Sequence, residues 1–206
     1  PVAWLTLDEG DADPPRFWAA LLEALASAGI ETSRLEAATV TAWLPGAAPP
    51  DPTRLGRALA ADLGAAAAEG RPVTLITDDA HLVDGTPIPD AMRAAMAALP
   101  HGVVMAIGSR VDPPVGLSRL RASGRLVELR AADLAFTPEE TADLLAEGLG
   151  VAGLDAAQVA TLEERTEGWA AGLQLAALSL VGRDRAETDR FIAAFAGSHR
   201  HLLDYL

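Results

Sequence analysis

Short continuous apolar runs alternate with stretches of helical spacing from Val2 to about Arg130, and that alternation predicts a parallel β-sheet wrapped by helices. The runs are Val2 to Leu7, Val73 to Thr77, Val103 to Ile107 and a last short one, Leu126 to Leu129. After the first run, Phe17, Leu21 and Leu25 recur at i, i+4 and i+8 behind Asp13 as cap, with Pro14 and Pro15 in the first turn. The helix they predict ends near Gly29. A second helix repeats the recipe with Asp51, Pro52, Leu55, Leu59 and Leu63 and stops at Gly70, and a proline-rich loop, Pro45 to Pro50, separates the two. Past the Val73 run, a loop through Asp84-Gly85 leads into a helix that carries Met92, Met96 and Leu99 and closes at Pro100.

Beyond Arg130 every segment has helical spacing. Thr137-Pro-Glu-Glu140 reads as a capping box, and Asp155 with Gln158 starts another helix. Gly168 to Leu180 sets Trp169, Leu173, Ala176, Ala177 and Leu180 on one face. Phe191 and Phe195 lie one turn apart before Gly197 stops their helix, and Ser198 caps a segment that runs to Leu206. The expected organisation is an α/β core over residues 1–130 and an all-α subdomain over 131–206. Because the chain opens on a strand and ends in mid-pattern, it reads as a fragment.

Composition removes several function classes. With 206 residues, half of them apolar, the chain can bury a sizeable core. All 16 basic residues are arginines, set against 29 acids, and the net charge of −13 argues against a nucleic-acid-binding surface. The absence of cysteine excludes disulfides, thiolate metal sites and thiol nucleophiles, and fits a cytoplasmic protein. No apolar run approaches the roughly 18 residues of a membrane span, and the opening does not read as a signal peptide.

The candidate chemistry sits where two apolar runs end. Asp78 and Asp79 follow the Val73 run, and Ser109 and Arg110 follow the Val103 run, so both pairs are expected at the carboxyl ends of strands, where α/β sheets bind ligands. One carboxylate, Asp78, would hold magnesium and its neighbour Asp79 would orient an attacking water. Arg110 would pair with a terminal phosphate, with Ser109 facing the same crevice. Each residue alone has a plainer reading, as a turn cap, a solvated acid or a surface arginine. His81 either hydrogen-bonds a ligand or is structural, since no second histidine lies near enough in sequence for a metal pair. Glu9, Asp11 and Asp13 read as a loop feeding a helix cap. Trp169 reads as core packing, while Gly172 would let a backbone or a flat ring approach closely. No segment matches G-x-x-x-x-G-K-[ST], and no lysine is present to neutralise a phosphate. A phospho-acceptor receiver domain needs that lysine too, and Ala106-Ile-Gly-Ser-Arg110 lacks the G-x-S-x-G elbow of a serine hydrolase.

Several segments together resemble a known family: Val2 to Asp11, Phe17-Trp18, Asp78-Asp-Ala-His-Leu82, Gly108-Ser-Arg-Val-Asp-Pro-Pro114, Leu134 to Glu140, Thr166-Glu-Gly-Trp-Ala-Ala-Gly-Leu-Gln-Leu-Ala176 and Phe195 to His201. They are similar to the large ATP-dependent transcription activators of the MalT type, which carry a LuxR-type DNA-binding tail and belong to the STAND class of NTPases. The resemblance implies a P-loop-NTPase-like (ASCE/STAND) core followed by a helical subdomain. It implies that Asp78 and Asp79 form the Walker B pair, that Arg110, beside Ser109, is a sensor for the terminal phosphate, and that Gly172 and Leu173 begin the motif that lies against adenine. Gln174 stands where many relatives carry proline, and Ala80 where an aromatic is common. It further implies that the Walker A loop, with its strand and helix, lies upstream of Pro1, and that the absent strand sits inside the sheet beside the Val103 run. ATP and Mg2+ are then ligands of the full-length protein, bound weakly or not at all by this piece. Implied partners are the P-loop segment, sensor domain and DNA-binding domain of the same polypeptide, or another copy lending a strand, with no direct contact to nucleic acid or membrane. Two rival readings stay open: a pseudo-NTPase interaction module that never binds ATP, and a metal-dependent phosphohydrolase built on Asp78 and Asp79.

Overall fold

The three strongest apolar runs form three parallel strands, β1 (Val2–Thr6), β2 (Val73–Asp78) and β3 (Val103–Ile107), in the order β1-β2-β3. The computed structural model describes residues 1–40, 50–68, 70–151 and 153–195. Trp4 aligns with Ile76 and Ile76 with Ala106, so Val2, Trp4, Thr74, Ile76, Asp78, Val104 and Ala106 share one face, and Ala3, Leu5, Leu75, Thr77, Met105 and Ile107 share the other.

Which face is buried follows from connectivity. The β1-to-β2 connection contains α1 (Pro14–Ser27), α2 (Ser33–Val40) and α3 (Pro52–Ala68), and the β2-to-β3 connection contains α4 (Ile88–Ala98). Both connections step the chain the same way across the sheet, and right-handed crossovers then lay every helix on one face. Ala3, Leu5 and Leu75 accordingly pack with Phe17, Leu21, Leu59, Leu63 and Met92 in one core. The opposite face stays open, with Val2, Trp4 and Val104 each more than half exposed. Parallel sheets are ordinarily covered on both faces, so this surface is unusually apolar for one in contact with water.

Two expectations need correcting here. Leu126 to Leu129 is not a strand: the segment is irregular, and Val127 and Leu129 are exposed at 87% and 70%. Among the described residues β3 pairs only with β2, no strand lies beside 126–129 to accept its backbone hydrogen bonds, and an unpaired strand is not stable in water. Asp13 does occupy the N-cap of α1, but its side chain accepts no hydrogen bond. Pro15 has removed one of the two amides, those of N2 and N3, that such a cap would serve. The proline-rich stretch 45–49, Gly197 and Ser198 lie outside the described residues.

α2 was not anticipated, and it is held from a distance. Asp62, on α3 and 1% exposed, accepts from the amides of Arg34 (3.1 Å) and Leu35 (2.8 Å) and pairs with the Arg34 guanidinium at 3.0 Å. A carboxylate from one helix thereby caps the first turn of another, satisfying amides that have no partner within their own helix. α3 also lies tight against α4, since a Cβ on Gly56 would come within 2.0 Å of the Ala91 carbonyl. A short helix, α5 (Leu117–Ala122), completes this first unit, Pro1–Leu126.

The second unit, Val127–Leu206, has helices as its regular elements among the described residues: α6 (Ala131–Leu134), α7 (Pro138–Asp143) running into a π turn at Leu144–Gly148, α8 (Ala156–Thr166), α9 (Ala170–Leu180) and α10 (Arg185–Ala194). The capping boxes expected at Thr137 with Glu140 and Asp155 with Gln158 are formed, and Asp184 with Glu187 adds a third. Leu145, Leu162, Leu173, Ala176, Leu180 and Ile192 make its core. Arg165 donates to the carbonyls of Ile192 (2.6 Å), Ala193 (3.0 Å) and Phe195 (2.5 Å), closing the end of α10.

α9 starts two residues later than the apolar pattern suggests. Glu167, at φ 54°, is the left-handed C-cap of α8, Gly168 follows at φ 67°, and Trp169 becomes the N-cap of α9. The Phe136 amide donates to the Gly168 carbonyl at 2.8 Å, and a Cβ on Gly168 would lie 2.5 Å from the Phe136 oxygen. Gly168→Ala meets both a dihedral that non-glycine residues seldom adopt and a backbone clash, so it is expected to destabilise the helical unit by about 2–4 kcal/mol, read as a lowered urea midpoint by circular dichroism.

Candidate functional site

Asp78 and Asp79 reach the rim of the sheet because β2 ends there. Asp78 is the last residue of β2, opposite Thr6 of β1, and its carbonyl accepts from Leu7 at 3.2 Å. Its carboxylate Oδ1 accepts from the Asp79 amide at 2.9 Å, which fixes the side chain over the turn and leaves Oδ2 for a ligand. Asp79 is in the left-handed region, φ 56° and ψ 34°, a conformation that non-glycine residues seldom take. Three hydrogen bonds from backbone amides hold it there: its own amide to the Asp78 carboxylate, the Ala80 amide to the Gly108 carbonyl (2.9 Å) and the Leu82 amide to the Asp79 carbonyl (3.0 Å). The turn Ala80–Val83 follows at once.

The neighbouring strand delivers its residues to the same rim. The Gly108 amide donates to the Thr77 carbonyl at 2.9 Å, extending the ladder one residue beyond β3. Glycine at this position makes room for the carboxylate where it lies: a Cβ there would come 2.3 Å from Asp78 Oδ1. Ser109 comes next, its Oγ buried without a hydrogen-bond partner. Arg110 is exposed, and among the described residues no hydrogen bond or ion pair joins it to Asp78 or Asp79. The structure therefore brings Asp78, Asp79, Gly108 and Ser109 together and sets Arg110 at the tip of the same strand end. Gly172 and Leu173 belong to the helical unit, where both are buried in α9 and Leu173 is fully enclosed by its core.

The acids after β1 are engaged otherwise. Asp11, only 4% exposed, accepts from the Asp8 amide at 2.8 Å, and Arg16 bridges Asp8 (2.5 Å) and Asp11 (3.3 Å). The turn Glu9–Ala12 they shape packs against Ala80–Val83, so this network supports the rim rather than adding free carboxylates to it. Sequence reasoning missed that role; the spacing of Asp8 and Asp11 is a capping signal, but nothing local points to Arg16 as the third member.

The donor set is compatible with magnesium. Among the described residues no three acidic, histidine or cysteine side chains converge. Magnesium, however, is commonly held by one or two carboxylates with phosphate oxygens and water completing its shell, and the rim offers oxygen donors of that kind in Asp78, Asp79 and Ser109. Next to the rim, bordered by Thr77, Ala80 and Ile107, lies a cavity of about 20 Å³ lined mostly by apolar side chains such as Phe17, Met92 and Val115. In the helical unit a cleft of about 250 Å³ contains Arg183, Arg185 and Gln158, but these pair with Ser179, Asp155 and Asp189 respectively. No helix among the described residues is long and apolar enough to cross a membrane.

Comparison with known proteins gives one consistent set of relatives. No family model matches the chain. The HTH-type transcriptional regulator MalT of Serratia proteamaculans is 31% identical over 211 residues, covering all of this chain and 22% of the relative. The same regulator from Yersinia enterocolitica is 32% identical over 208 residues with equal coverage, and that of Vibrio cholerae is 33% identical over 134 residues, 64% of this chain. The chain thus spans about a fifth of the length of the relatives that it matches from end to end.

Proposed function

The chain belongs with the MalT-type transcriptional regulators over its whole length, and from that premise we propose that it is the core of their nucleotide-sensing module. In this reading Asp78 and Asp79 are the Walker B pair. Asp78 holds Mg2+ through Oδ2, Asp79 orients the water or phosphate oxygen beside it, and Ser109 and Arg110 read the terminal phosphate. ATP with its magnesium would supply the charge that these groups sense. The single observation that carries the reading is the fit of Gly108 against Asp78: two adjacent parallel strands end together, and one gives up its side chain so that the other's carboxylate can lie over it. The cationic phosphate cradle has no counterpart among the 206 residues, which contain no lysine, and it is assigned to the rest of the longer polypeptide. ATP is then a switch ligand that favours one conformation of the regulator over another.

A second reading, an interaction module that never binds ATP, draws support from the open apolar face of Val2, Trp4 and Val104. Calorimetry separates the two. The chain alone is expected to bind Mg-ATP no tighter than about millimolar, and a longer polypeptide that adds the cradle to bind at micromolar or better. Micromolar affinity in the chain alone would remove the need for an outside cradle. No binding by the longer polypeptide would favour the interaction module.

A further inference from the structure

In the α/β unit, two buried polar side-chain atoms have no hydrogen-bond partner among the described residues, and both lie at the rim: Ser109 Oγ and His81 Nδ1. Buried polar atoms are nearly always paired, so an unpaired one calls for an explanation. Ser109 already has a place in the proposed site. His81 does not. Its ring is one-fifth exposed, and Nδ1 faces Asp79 Oδ1 at 3.8 Å, too long for a hydrogen bond but in the range of an ion pair.

The backbone around this pair is tied down, as the three hydrogen bonds that hold Asp79 in its left-handed conformation show. What remains free is the Asp79 carboxylate itself, 39% exposed, with no capping hydrogen bond from its side chain to the turn that it precedes. We infer that His81 is a positioning residue for Asp79: an imidazole with a proton on Nδ1 closes on Asp79 Oδ1, which it already faces at 3.8 Å, and aims that carboxylate across the rim toward the ligand oxygen beside Asp78. The inference rests on the reading of Asp79 as the orienting carboxylate, but the hydrogen bond can be tested without any nucleotide.

The sequence has four histidines, His81, His101, His199 and His201, so imidazole nitrogen signals in the uniformly 15N-labelled chain can be assigned by removing one histidine at a time. At a pH well above the usual imidazole range, His81 is expected to show the Nδ1–H tautomer, whereas an unconstrained ring favours Nε2–H. Asp79→Asn is expected to return His81 to the Nε2–H form while the backbone amide spectrum stays folded. Nε2–H at His81 in the unaltered chain, or a tautomer indifferent to Asp79→Asn, would overturn the inference. The functional arm uses the longer polypeptide. The amide nitrogen of asparagine lies where Nδ1 lies and that of glutamine where Nε2 lies, so His81→Asn is expected to keep Mg-ATP turnover within about three-fold and His81→Gln to lose roughly 10- to 100-fold. Equal losses would assign His81 a merely structural role. If the unaltered longer polypeptide shows no turnover, the assignment of Asp79 fails, and the tautomer measurement still decides whether the pair exists.

Discussion

Asp62→Ala is expected to lower the stability of the α/β unit by about 2–4 kcal/mol. The carboxylate is almost fully buried and serves two backbone amides of α2, one of which, on Leu35, has no access to water. Removing the acceptor strands that amide in the core and unties the first turn of α2, whose Leu35 is itself completely buried. The ion pair to Arg34 contributes little by comparison, because the guanidinium is 57% exposed and screened. Asp62→Asn separates the two contributions, since the amide keeps one acceptor oxygen and drops the charge. Urea unfolding should place Asp62→Asn within about 1 kcal/mol of the unaltered chain, well above Asp62→Ala. Equal losses would show that the charge, and not the cap, holds α2.

That pair of helices also shows where a reading of the sequence stops. The three strands were legible because each is a short apolar run, and α1, α3 and α4 because their leucines or methionines recur at helical spacing. α2 has too short an apolar pattern to stand out, and its cap comes from a residue 27 or 28 positions later, which no local window contains. Leu126 to Leu129 failed for the converse reason: its residues suit a strand, yet strand formation depends on a neighbour, and the sheet ends at β3. For the candidate site, the sequence marks Asp78, Asp79, Ser109 and Arg110 as strand-end residues, and the structure sets them along one rim. It does not mark the left-handed backbone at Asp79, the orphaned Nδ1 of His81 or the contact of Gly108 with Asp78, because each depends on how two non-adjacent segments meet.

Gly108→Ala is expected to cost the longer polypeptide at least about ten-fold in Mg-nucleotide affinity, on the scale of losing a well-placed ligand to the cation, while leaving the fold nearly intact. Gly108 is not in the left-handed region, so alanine meets no dihedral penalty there; what it meets is Asp78, with Oδ1 at 2.3 Å and Cγ at 3.3 Å from the added Cβ. The carboxylate lies at the end of a strand and is only partly buried, so it can swing away, at the cost of its bond from the Asp79 amide. Stability should therefore fall by less than about 2 kcal/mol, within the range for overpacking that a side-chain rotation can relieve. If the lost affinity comes from displacing Asp78, the change is redundant with removing that carboxylate, and Gly108→Ala added to Asp78→Asn should weaken binding no further than Asp78→Asn alone. Losses that add in full would mean that Gly108 acts on the ligand by another route, and that the close approach of the two strand ends is packing without a part in binding.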